Sequence, residues 1–169
     1  MITSGTQTAI TENIEKITNQ FTAEKFAAVF EIFEWLHKNL TLVPDAEFKR
    51  DYFRKRMADE IIKSGMATGC TDYALVFCAL ARAKDIATAY VEALDADWVE
   101  HPDYDNVRGH VFCEVIIDGK MYVVDPQGAA VRPWMGKRYV VIGKGLDSWG
   151  LGVVDIETLK ALIRAFTKK

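Results

Sequence analysis

Gly69-Cys70-Thr71-Asp72-Tyr73-Ala74-Leu75-Val76-Phe77-Cys78-Ala79-Leu80-Ala81-Arg82-Ala83 is the stretch on which the fold turns. The break Ser64-Gly65-Met66-Ala67-Thr68 precedes it, and from Cys70 to about Lys84 the chain reads as one helix. The middle of that helix, Ala74 to Leu80, is apolar all round. A helix with no polar face belongs in the interior, covered on every side. Upstream, Thr8 to Leu40 reads as helical in two pieces, with Ile14, Ile17 and Phe21 on one stripe and Phe26, Val29, Phe30, Phe33 and Leu36 on the next. Thr22 is the expected cap of the second piece. Pro44-Asp45 marks a turn, and Phe48 to Lys63 reads as a further helix with Phe53, Met57 and Ile61 four apart. Downstream, 86–94, 111–117, 120–124 and 138–142 read as strands, and 155–166 as an amphipathic helix capped by Asp155. Helices first, then strands, then a closing helix predict an α+β architecture.

The chain has 169 residues, half of them hydrophobic, which suits one domain over 1–169 with a substantial core. Charged residues are 27% and aromatics 11%, so disorder and low-complexity behaviour are excluded. Lys plus Arg is 21 against 24 for Asp plus Glu, a net charge of -3 with no clustered basic patch. That balance speaks against nucleic acid and membrane surfaces as partners. The longest apolar run, Tyr73 to Ala81, falls far short of the roughly 20 residues that span a bilayer. The N-terminus lacks a basic and apolar leader, so a cytoplasmic location is the expectation. The three cysteines, Cys70, Cys78 and Cys113, are too few and too odd for a disulfide framework and are expected as free thiols.

Cys70 follows Gly69 at the start of the buried helix. Unpaired amides and the macrodipole at a helix N-terminus favour an anion, and the thiolate is the nucleophilic form of cysteine. Cys78 falls mid-helix and Cys113 mid-strand, where small core residues are expected. Of the histidines, His37 sits beside Lys38 on an amphipathic helix and His101 lies in an acidic loop, both surface positions. His110 instead opens a strand after Gly109. Its surroundings follow from the turn Asp118-Gly119, a two-residue hairpin signal between apolar runs. Ile117 then pairs with Lys120, and His110 and Asp125 become diagonal neighbours on one face, about 7–8 Å apart at Cα. A thiol, an imidazole and a carboxylate that fixes the imidazole tautomer make a nucleophile, its base and the base's orienter.

These residues resemble the transglutaminase-like superfamily, whose fold is a reduced or permuted papain-like α+β core. The resemblance is carried by Gly69-Cys70-Thr71-Asp72-Tyr73-Ala74 with Ala79-Leu80-Ala81-Arg82-Ala83, by Gly109-His110-Val111-Phe112 and by Val124-Asp125-Pro126, and covers about residues 50–130. It implies Cys70 as nucleophile and His110 and Asp125 on neighbouring strands. Phe112 stands where the family frequently has Trp, Met121 where the return strand often has Trp, and Asp85-Ile86-Ala87 where it often reads Gly-Ile-Pro. The implied activity is acyl transfer at an amide through a thioester on Cys70, on a peptide, protein or small-amide substrate. The acceptor is water or an amine, with water favoured for so short a chain, and no cofactor is implied. The Cys70 amide is one expected oxyanion donor.

Other readings of the same residues are weaker. Cys70, His101, His110 and Cys113 include soft metal ligands, but no C-x-x-C pair exists and His110 and Cys113 fall on opposite strand faces. Asp147-Ser148-Trp149-Gly150 lacks the leading Gly of a nucleophile elbow, and Gly143-Lys144-Gly145 lacks the third Gly of a dinucleotide fingerprint. Trp149 is expected to pack rather than line a cleft. Trp98 and the acidic loop 95–105 are candidates for the rim of the site, selecting a basic or amine-bearing substrate. From a different class comes a binding module that keeps the fold without catalysis.

Overall fold

The computed structural model describes residues 3–168. Its first half contains α1 (Glu12–Thr18), α2 (Lys25–Asn39), β1 (Thr41–Leu42), α3 (Ala46–Tyr52), α4 (Ala58–Ser64), β2 (Met66–Ala67) and α5 (Cys70–Ala83). There follow β3 (Ala87–Asp95), α6 (Ala96–Glu100), β4 (Gly109–Ile117), β5 (Lys120–Asp125), β6 (Ala130–Arg132), β7 (Tyr139–Gly145) and α7 (Ile156–Thr167).

Every residue of α5 from Thr71 to Arg82 is buried. Helices α1, α2 and α4 cover one side of it and strands β3 and β4 the other. Leu75, Phe77 and Leu80 have no exposed surface, and burying each such side chain contributes roughly 1.5–3 kcal/mol before the entropy of ordering it. Arg82, also buried, donates to the carbonyls of Thr88 and Leu146 and to the Thr8 hydroxyl, which ties the N-terminal segment and the loop after β7 to α5. The helix ends where Asp85 takes a left-handed conformation, φ 56°, and the Ile86 amide reaches back to the Ala81 carbonyl. That is a Schellman stop, for which glycine is the usual residue.

The sheet runs β6-β5-β4-β3-β7 with antiparallel neighbours throughout. Alternation divides β4 between two cores. Val111, Cys113, Val115 and Ile117 face α5. Phe112 meets Val91, Ala93 and Val123 on the other face, under Met135, Tyr139 and Val141. Helix α7 seals a third cluster against Leu94, Trp98 and Val153, capped by Asp155 as its sequence predicts. The hairpin register is also the predicted one: Ile117 pairs with Lys120 and Cys113 with Val124 across a turn in which Asp118 and Gly119 both have positive φ. These elements form the expected α+β arrangement, and among the described residues no helix is long and apolar enough to cross a membrane.

Two helical expectations are corrected. The stretch 48–63 is not one helix. It breaks after Tyr52 and restarts at Ala58, with Arg54 in the left-handed region at φ 62°. The break turns Arg54 and Arg56 inward to acidic partners, which a continuous helix would not allow for both. Thr22 does not cap α2, whose N-cap is Glu24. Instead Glu31 reaches back to the amides of Thr22 and Ala23.

Candidate active site

Cys70 is the first residue of α5, so its amide is one of those a helix leaves without an internal acceptor. The approach to it is held by Asp72. Its buried carboxylate accepts the Thr68 amide at 2.7 Å and the Thr68 hydroxyl at 3.0 Å, and pairs with Arg56 at 2.7 Å. Burial pushes Asp72 above the ordinary carboxylate value, against the pull of Thr68 and Arg56. The short β1–β2 pair fastens the same approach to the end of α2. Cys70 is itself half-buried and opens into a cleft of about 190 Å³ together with His110, Arg54 and Glu92. The cleft wall is apolar: Phe53, Leu94, Val107, Ile156 and Leu159.

His110 reaches this cleft from the start of β4, and its Nε2 lies 2.8 Å from Asp125 Oδ2. Gly109 before it is required by close approach, since a Cβ there would stand 2.9 Å from the Ala93 carbonyl oxygen. The Tyr139 ring stacks on the imidazole, centroids 5.5 Å apart, and fixes its plane. Asp125 is oriented in turn by the Gly128 amide at 3.0 Å. With Nε2 committed to Asp125, Nδ1 is the nitrogen left for another partner. Burial works against a charged imidazole here, but the hydrogen bond to Asp125 and the adjacent Cys70 outweigh it and raise His110 to about 10. Asp125 is lowered, His110 and the Gly128 and Gln127 amides overcoming the cost of burial. Cys70, His110 and Asp125 are thus brought together at one end of α5.

The family model of the transglutaminase-like superfamily matches residues 11–126, a span holding all three. The chain belongs to this superfamily. Among solved structures, a candidate cysteine protease from Cytophaga hutchinsonii superposes with a TM-score of 0.64 at 18% identity, covering 90% of this chain and 47% of that one. The chain therefore spans about half the length of that protein. LapG from Legionella pneumophila superposes with a TM-score of 0.56 at 12% identity, over 91% of this chain and 96% of its own. Both share the fold. No curated protein matches the chain in sequence.

Measured against the transglutaminase-like pattern, the departures are accommodated locally. Asp85 adopts the backbone that explains glycine in its place, Phe112 is buried beside His110, and Met121 is exposed. The acidic loop does not rim the cleft, which contrasts with the reading of its sequence. Trp98 is buried and its indole N–H is shared between the Asp103 and Asn106 carbonyls, while Asp95 caps α6. These contacts fold the loop upon itself. His37 is exposed but not idle: its Nε2 lies 3.0 Å from the carbonyl oxygen of Pro126, next to Asp125. Cys78 and Cys113 touch at 3.5 Å inside the core, between α5 and β4. Ser148 is buried, donating to the Val153 carbonyl and accepting from Arg54, which is a structural role. Trp149 braces, its indole donating to the Arg54 carbonyl at 2.7 Å. Among the described residues no group of three or more His, Cys, Asp or Glu side chains could hold a metal ion.

Arg54, Glu92, Arg56 and Tyr139 are the site residues that sequence reading missed. Glu92 carried a signal, as the one charge within Ala89-Tyr90-Val91-Glu92-Ala93-Leu94. The arginines carried none, since charges on a helical pattern read as a solvated face. A hollow of about 580 Å³ lies at the opposite end of α5 beside Lys84, Asp85 and Asp118, and Cys70, His110, Asp125, Arg54 and Glu92 are not among its lining residues.

Proposed function

We propose that this protein is a cysteine-dependent acyl-transfer enzyme that hydrolyses an amide bond in a peptide, protein or small amide. The observation that carries the proposal is the 2.8 Å His110–Asp125 contact at the mouth of a cleft shared with Cys70 at a helix start. The Cys70 thiolate attacks the carbonyl carbon, and the oxyanion is met by the Cys70 amide. His110, as imidazolium, gives its proton to the nitrogen as the C–N bond breaks, releasing the amine and leaving a thioester. Water then attacks the thioester carbonyl, His110 takes its proton, and the sulfur leaves as the thiolate with the acid released. Asp125 keeps the imidazole in the required tautomer and orientation. The apolar wall of the cleft suits a substrate with an apolar group next to the scissile bond. The fold shared with the candidate cysteine protease of Cytophaga hutchinsonii agrees with hydrolysis.

The test is the rate of alkylation by iodoacetamide at each cysteine, followed by mass spectrometry from acidic to mildly basic pH, for wild type and His110→Ala. Cys70 is expected to react first, well below the roughly 8.5 of an ordinary thiol, and to lose that advantage in the variant. Equal behaviour of the two proteins would favour the non-catalytic binding module instead.

A further inference from the structure

Arg54 and Glu92 form an ion pair inside the protein, 2% and 3% exposed. Two bonds of 2.7 Å join them in the bidentate geometry of guanidinium and carboxylate. Tyr90 accepts from Arg54 at 3.0 Å and donates to Glu92 at 3.1 Å, and Ser148 accepts a further bond at 3.1 Å. The Arg54 carbonyl is gripped by the Gln7 amide and the Trp149 indole, which hold the residue in a left-handed conformation that a side chain other than glycine seldom adopts. Five residues from three parts of the chain, β3, the loop after β7 and the N-terminal segment, thus converge on Arg54. Such pairs seldom repay their desolvation, and apolar side chains of similar size often serve stability as well or better. Stability alone therefore does not account for the arrangement.

What the arrangement does achieve is a fixed positive charge in the cleft that holds Cys70. The Arg54 Nε–H is buried without a partner, so the donor capacity of the guanidinium is not exhausted by its pair. The groups around Cys70 are few. From β4 comes His110, backed by Asp125 on β5; from β3 come Glu92 and the neutral Tyr90; from the segment between α3 and α4 comes Arg54; and α7 offers only Ile156 and Leu159. Burial opposes the charge on Arg54, while Tyr90, Glu92 and Cys70 sustain it.

We propose that Arg54 is a positioning residue for Cys70: Glu92 holds its guanidinium at the floor of the cleft, where its charge favours the anionic sulfur. This rests on the acyl-transfer reading of the site. It also adds a second cation to the site, beside the His110 imidazolium, and one that does not titrate in the working range.

The test is the pH profile of Cys70 alkylation in the full chain, with folding checked by circular dichroism. Arg54→Met is expected to move the acid limb of the profile up by about one pH unit, which slows alkylation about tenfold on the acid side. Glu92→Gln leaves the guanidinium uncompensated and is expected to move the limb the other way. Arg54→Lys, which keeps the charge, restores the limb toward wild type. A merely structural pair would move both single variants in one direction or move neither, and that result overturns the proposal. If a single variant does not fold, Arg54→Met/Glu92→Met decides. Its limb is expected to rise, because the proposal puts the cation and not the carboxylate next to the sulfur, and an unmoved limb overturns it. A wild-type profile that His110→Ala leaves unchanged refutes the acyl-transfer reading itself. A His110-dependent profile that the Arg54 and Glu92 variants do not move refutes only the role of Arg54.

Discussion

Replacing Asp125 with asparagine keeps the shape of the His110 partner and removes its charge. In the folded protein His110 is raised from 6.5 to about 10. That span corresponds to roughly 5 kcal/mol, at about 1.36 kcal/mol per unit. Burial works against the imidazolium, and two neighbours, Asp125 and Cys70, work for it. Removing one of the two is expected to lower the His110 midpoint by about 1–2 units. Removing both, in Cys70→Ala/Asp125→Asn, leaves burial alone and should bring the midpoint below the unperturbed value of about 6.5. The assay is a two-dimensional NMR titration of the imidazole protons, with His37 and His101 assigned by substitution. A wild-type His110 midpoint near that of a free imidazole, or one that Asp125→Asn leaves in place, would refute the reasoning. The same shift carries a stability consequence. The folded midpoint lies above the unfolded one, so the His110 contribution is complete below about pH 6.5 and fades as pH rises toward 10. Asp125, held below its ordinary value of 3.8, contributes in the opposite sense: its share is present above that value and is lost as pH falls through the folded one. Wild type should therefore lose stability between pH 7 and 10 more steeply than Asp125→Asn.

Two further substitutions test the backbone that carries the site. Gly109→Ala would place a Cβ 2.9 Å from the Ala93 carbonyl oxygen, and the adjustment is expected to cost about 1–3 kcal/mol. In a chain of this size that lowers the melting temperature by about 2–4 °C per kcal/mol, and an unchanged melt would show that β3 and β4 have room there. Asp85→Gly relieves the left-handed residue at the end of α5 and is expected to gain about 0.5–1 kcal/mol. A lower melting temperature in Asp85→Gly would mean that the aspartate side chain contributes more than its backbone conformation costs.

The parts of the fold legible in the sequence are those decided by neighbours along the chain. The α5 helix announces its own burial because no face of it is polar. The Asp118-Gly119 turn sets the register of two strands, and the register alone places His110 beside Asp125, fifteen residues apart in sequence. Asp155 caps α7 through a bond to Thr158 only three residues on. Each of these inferences needs only a period, a turn type or a cap. The short β1–β2 pair and α6 escaped, since two residues of strand or five of helix carry no period to detect.

Arg54 and Arg56 escaped for a different reason, and it bears on how the site is built. Helical periodicity from Phe48 to Lys63 is real, and Phe53, Met57 and Ile61 do fall four apart. It loses to two ion pairs whose acidic members lie 16 and 38 residues further on. A buried arginine without its carboxylate is far costlier than an interrupted helix, so once Asp72 and Glu92 are in place the backbone yields at Arg54. Both partners lie at the candidate site: Asp72 two residues after Cys70, and Glu92 on β3 in the cleft itself. The segment between α3 and α4 is therefore bound to the site twice, once through the loop that presents Cys70 and once through the floor beneath it. Disturbing either pair should be felt at Cys70 before it is felt in the sheet.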